Sequence, residues 1–241
     1  MKPLGQRFLV IYSGVLTAVF AVTVLSGFVS SPKSMTLEQL DVQRINVREP
    51  DGTLRLIVSS KGKAPGVFVK DKEYPHPAGR REAGMIFLNG EGTENGGLTF
   101  GGEKGKDGVK RSGGHLSFDA YEQDQTMALD AEQDGNRSST KLQFTDYPDY
   151  SIMEEIDLFQ SIKDLPRDQQ EARFKVFFAE RGGPTPRMIL GRNAKDGSVM
   201  LNMADMKGNP RIVMQVAADG TPSLRMLDEK GKVVGEMRPG D

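Results

Sequence analysis

Leu54, Leu56 and Val58 stand two apart, the spacing that puts side chains on one face of a β-strand. Val42, Ile45 and Val47 precede them, separated by Glu49-Pro50-Asp51-Gly52. Proline presets φ and glycine accepts the left-handed position, so this segment predicts a hairpin. Short apolar runs recur at Met85–Leu88, Leu98–Phe100, His115–Tyr121 (Leu116, Phe118), Thr126–Leu129 and Lys141–Phe144. Between the first of these runs lies a glycine-rich acidic loop, Asn89–Gly97, and Gly101–Gly114 reads as a second loop. Lys61–Arg81 is basic, holds Pro65, Pro75 and Pro77, and has no periodicity beyond a possible short strand at Val67–Val69. After Pro186 the turns become regular: Gly197, Gly208, Gly220 and Gly231 stand 11, 12 and 11 apart, with apolar residues alternating between them. That spacing predicts an antiparallel meander, with a β-solenoid as the alternative.

Two stretches break the strand pattern. In the middle, Ile152, Ile156 and Phe159 follow Ser151, with Glu154 at capping-box distance, and Pro166 opens a second segment whose Phe174, Phe177 and Phe178 share a face. A helical hairpin at about 151–181 is expected, closed by Gly182-Gly183-Pro184. At the N-terminus, residues 8–29 carry no charge, and 22 residues span about 33 Å as a helix, enough for a hydrocarbon core of ~30 Å. The run exceeds the apolar stretch of a cleaved signal peptide and no small-residue cleavage pattern follows, so a retained anchor is expected. Lys2 and Arg7 place residues 1–7 in the cytoplasm and, beyond a linker at 30–36, the domain of residues 37–241 outside it.

Composition removes several chemistries. The chain has 241 residues, no Cys and two His, so disulfides, thiolate metal sites and Cys nucleophiles are excluded and a His-based metal site is starved of ligands. A formal net charge of −1 argues against a dedicated nucleic-acid binder. There is no P-loop, no nucleophile elbow, no metalloprotease helix motif and no other cofactor or metal signature. The Lys-rich glycine loop Gly101–Gly108 lacks the strand–helix context of a phosphate cradle. The 12 Met read as adaptable core filling.

Two stretches carry candidate chemistry. In the loop Asn89–Gly97, Glu91 and Glu94 could ligate calcium or pair as acid and base, against the plainer reading of a turn with solvated charges. In the strand that follows, His115, Ser117, Asp119 and Tyr121 share a face, with Glu122 just beyond. The expectation for that face is the wet side of a half-buried sheet, with Leu116 and Phe118 filling the core side.

Taken together, the single N-terminal span, RINVREPDGTLRLIVS, GMIFLNGEGTENGGLTFGG, GGHLSFDAYEQDQTMAL, the helical insert and the regular turns resemble a group of bacterial membrane-anchored proteins without an assigned activity. The resemblance implies a bacterial source and one recurring architecture, and brings no catalytic residue. The fold expected is mainly β, an antiparallel meander of short strands with one inserted helical hairpin, preceded by a single transmembrane helix. The function expected is a binding or structural module at the outer face of the bacterial inner membrane, with a protein partner or envelope component and no nucleic acid. The alternative is a hydrolase or carbohydrate-active enzyme working through the carboxylates of the 89–97 loop and the 115–125 strand.

Overall fold

A computed structural model of the chain describes residues 4–26, 34–76 and 79–240. They form two units, residues 1–41 and residues 42–241. In the first, helix α1 runs Leu4–Ser26 with every described side chain exposed, and its stretch Gly5–Val24 is long and apolar enough to cross a membrane. The expected span ends at residue 29; residues 27–29 lie outside the described residues.

The second unit is one antiparallel sheet of twelve strands plus a two-stranded ribbon. The strands are β1 (Arg44–Arg48), β2 (Leu54–Ser59), β5 (Ala83–Leu88), β6 (Glu94–Lys104), β7 (Lys110–Asp119), β8 (Gln125–Asp134), β9 (Arg137–Asp146), β10 (Thr185–Arg192), β11 (Val199–Ala204), β12 (Pro210–Val216), β13 (Pro222–Leu227) and β14 (Val233–Met237). They lie side by side in that order, a meander rather than a solenoid. Between β2 and β5 the chain leaves the sheet to form the ribbon of β3 (Val67–Val69) and β4 (Lys72–Tyr74). Between β9 and β10 it forms helices α2 (Met153–Ile162) and α3 (Arg167–Arg181).

Six of the hairpins close with one five-residue turn, as at Glu49–Thr53, Asn89–Thr93, Gly105–Val109, Asp205–Asn209, Ala217–Thr221 and Asp228–Lys232. The first amide donates to the fifth carbonyl, the fourth amide to the first carbonyl, and the fourth residue is a glycine with φ between 70° and 97°. This is a type I turn followed by a left-handed residue, and it explains the regular glycine spacing. The turn Ala120–Asp124 keeps both hydrogen bonds without a glycine, and its left-handed residue is the third, Glu122 at φ 47°, rather than the fourth. A left-handed glutamate costs about 1–2 kcal/mol, so its surroundings must hold it there.

The pairing aligns one row of side chains across the whole sheet: Ile45, Val58, Met85, Leu98, Leu116, Leu129, Leu142, Leu190, Leu201, Met214, Leu224 and Met237. A second row on the same face, two residues along, runs from Val47 through Phe118, Phe144 and Met203 to Gly235 and is equally free of polar side chains. The buried core sits on the opposite face. Leu54, Ile57, Ile86 and Leu88 pack there with Phe68 of the ribbon. Tyr150, Ile156 and Ile162 are buried with the helices, where Tyr150 meets Phe177 edge-on at 5.4 Å.

Several sequence expectations are corrected. Gly101–Gly114 is no loop: β6 and β7 run through it as a long paired arm, with only Gly105–Val109 as turn. The middle strands, at ten or eleven residues, are correspondingly longer than expected. Glu94 is not in a loop but opens β6. The Ser151–Glu154 capping box does not form; Ser151 Oγ accepts only from the Met153 amide at 3.3 Å, and Glu154 pairs with Arg181 at 2.5 Å. The glycines of β6 serve close strand approach. A Cβ on Gly96 (φ 126°) would lie 2.3 Å from the Ser117 carbonyl oxygen. Gly96→Ala should therefore lose at least ~2 kcal/mol in urea unfolding, while Gly113→Ala, whose Cβ would meet nothing nearer than 3.6 Å, should lose under ~1 kcal/mol.

Candidate functional site

The polar face of β7 is not the wet face. Ser117 is 4% exposed and Phe118 45% exposed, the reverse of the expected sides. The cause lies in the inserted elements: the ribbon and the helical hairpin both cover the face carrying Ser117 and Asp119. They enclose a cavity of about 260 Å³ whose wall includes Phe68 from β3, Ile156 and Phe159 from α2, and Phe174 from α3.

Four carboxylates line this cavity. Glu94 stands at the start of β6, Asp119 at the end of β7, Asp124 in the strained turn and Glu155 on α2. One guanidinium, Arg80, answers them; it pairs with Glu94 and also donates to the Gly66 carbonyl. His76 lines the same cavity, and burial, helped by the charge of Arg80, lowers its pKa. Burial raises the carboxyls of Glu94, Asp124 and Glu155; Arg80 opposes this at Glu94, the Gln125 amide at Asp124 and the Tyr150 hydroxyl at Glu155. Asp119 is pushed up to about 7, first by burial and then by the charges of Glu94 and Asp124, with a Ser117 hydrogen bond opposing. Two oxygens in the cavity wall, Glu94 Oε2 and Asp119 Oδ1, are buried without a hydrogen-bond partner. Such orphan acceptors cost on the order of 1–3 kcal/mol each, which a donor entering the cavity would remove.

The strained turn holds this site together. The Glu122 carbonyl accepts the Ile152 amide at 2.7 Å and Gln123 Nε2 donates to the Tyr150 carbonyl at 3.1 Å, tying the turn to the helical insert. Glu122 Oε1 lies 2.7 Å from Lys70 Nζ at the tip of the ribbon, which keeps its carboxyl below the ordinary range.

Of the residues singled out in the sequence, the fold brings only Glu94 and Asp119 together in the cavity. Glu91 and Tyr121 meet outside it, where the Tyr121 hydroxyl donates at 2.7 Å and its pKa rises to about 12. Glu91 and Glu94 are thus held by different partners, and among the described residues no three His, Asp or Glu gather as a metal-ligand set. His115 lies in a different groove, its Nδ1 2.6 Å from Asp130 Oδ1, with Lys141 Nζ 3.4 Å from the other oxygen. Arg80, Glu155 and His76 were not anticipated, and Asp124 only as one of the carboxylates of the 115–125 stretch. Asp124 sits inside the distinctive FDAYEQDQ stretch, and Arg80 inside an aperiodic excursion long enough to demand a reason. Glu155 carries no local signal, because its role depends on where the helix docks.

No protein-family model matches the chain, and no curated protein matches it.

Proposed function

We propose that the protein is a membrane-anchored, extracytoplasmic binding module of a bacterial envelope, and that its ligand is a small organic cation with an apolar body. The observation that carries this reading is the pair of buried, unpartnered carboxylate oxygens, Glu94 Oε2 and Asp119 Oδ1, in a cavity where four carboxylates face one arginine. An ammonium donor would offset the excess negative charge and offer hydrogen bonds to these carboxylates. Ile156, Phe159 and Phe174 suit its hydrocarbon part, and the volume lies at the small end of ligand cavities, below ~300 Å³. Helix α1 supports the anchor, and Lys2 and Arg7, ahead of the uncharged run in the sequence, support an N-terminus in the cytoplasm.

Cation binding favours ionised carboxylates, so affinity should rise with pH through the range near 7 where Asp119 titrates. Butylammonium should raise the melting temperature of the full chain, more at pH 8 than at pH 5.5, while butanol and butyrate should not. A response to butyrate, or none to the amine at either pH, would remove the reading.

A hydrolase is the second reading. It is favoured by Asp119, which stays largely protonated up to about pH 7 beside Glu94, an arrangement suited to a general acid. Turnover of nitrophenyl glycosides that disappears in Asp119→Asn would select it over simple binding.

A further inference from the structure

We propose that the apolar face of the sheet is the contact surface of a homodimer, in which two copies pack face to face as a two-layered β-sandwich. Among the described strand residues from β1 to β13, the well-exposed large apolar side chains lie on this face, from Ile45 and Val47 through Phe100, Phe118 and Leu129 to Met214 and Met226, while Tyr121, Val176 and Met206 are exposed in turns and on α3. The exposures of these strand residues fall between 38% and 54%, what lateral neighbours alone leave uncovered in a single layer. With the partly exposed members of the two rows, the face offers roughly 1,000 Å² of apolar surface per copy. The largest patch on an ordinary monomer is about 300–600 Å², and a stable interface takes about 800 Å² from each partner.

Shape and charge select the occupant. Eleven strand spacings of about 4.8 Å make a strip about 53 Å long, and a twenty-residue helix reaches only about 30 Å. A second copy supplies a strip of the same length and width, at the ~10 Å separation at which sheets stack. Neither central row contains a charged residue, so a two-fold related copy sets no like charges together along them; the flanking row on the same face, which holds Phe100, Val199 and Val216, places Arg192 between Thr140 and Val199. A lipid surface is disfavoured by the two central rows, which hold no Lys or Arg to meet headgroups, in a chain without Trp. This inference is independent of the cavity on the opposite face.

The absence of native cysteine gives a clean background for the test. In native membranes, full-length Leu129→Cys, at the middle of the row, should be captured as a covalent dimer by a short bis-maleimide. Glu132→Cys, exposed on the opposite face of the same strand, should not. Adding Leu190→Glu or Met214→Lys to Leu129→Cys should abolish capture while thermal unfolding stays cooperative. Failure of Leu129→Cys to cross-link overturns the dimer in either form: a thiol open to maleimide-polyethylene glycol means a bare face, and a shielded one means lipid or another partner. Equal capture from both faces, indicating random collision, overturns it as well.

Discussion

Replacing Arg80 by Met should destabilise the folded domain by about 3–5 kcal/mol at pH 8, and by clearly less at pH 5. The Arg80 and Glu94 side chains are only 13% and 14% exposed, and among the described residues Arg80 is the one guanidinium lining the cavity. Without it, Glu94 keeps the Phe68 amide as its chief support, while burial and Asp124 oppose its charge. At the lower pH the carboxyl, raised by burial and without the opposing arginine, takes up a proton more readily and escapes part of the penalty. Arg80→Met/Glu94→Gln should recover part of the loss at pH 8, since the charge of Glu94 is gone while Asp119 and Asp124 still lose the attraction of Arg80. Urea unfolding followed by circular dichroism suits a chain without Trp. Equal losses in the single and double variants at both pH values would instead assign the effect to the lost Gly66 contact and arginine stem.

Asp119→Asn should act in the opposite direction. In the folded domain this carboxyl titrates near 7, against an ordinary value of 3.8. The folded state therefore binds the proton more tightly than the unfolded state. Stability is fully present below about pH 4 and is lost as pH rises through about 7. The loss should be on the order of 3 kcal/mol, a figure moderated by the part of the site that solvent reaches. Asparagine keeps the shape and removes the charge. The variant should be more stable than wild type at pH 8, nearly equal to it at pH 4, and flatter between. It should also lose the stabilisation by butylammonium, a response that relief of strain alone would not change. A variant less stable than wild type at pH 8 would mean that the ionised carboxylate has a partner that offsets its burial.

A site that destabilises its own domain at neutral pH fits the left-handed Glu122 beside it. The left-handed residue lies in the turn Ala120–Asp124 that directly follows Asp119, whereas six sister hairpins take their left-handed residue as glycine. The Ala120–Asp124 turn also bonds the helical insert through the Glu122 carbonyl and Gln123.

Local rules determined much of this protein. The period-two alternation and the glycine turns dictated a meander, because strand faces and left-handed turn residues are properties of neighbouring positions. The apolar run of α1 and the helical segments of α2 and α3 follow from sequence for the same reason. The long arm of β6 and β7 was hidden because glycines that read as loop are there for close strand approach, as Gly96 shows at Ser117. Which face of the sheet is covered was decided only in three dimensions. Ser117 and Asp119 look like a wet face and Phe118 like core until the ribbon and the helical hairpin dock on the polar side. The cavity has the same origin. Arg80, Glu94, Asp119, Asp124 and Glu155 lie up to 75 positions apart, and burial and charge, which depend on distance in space, give them their shared chemistry.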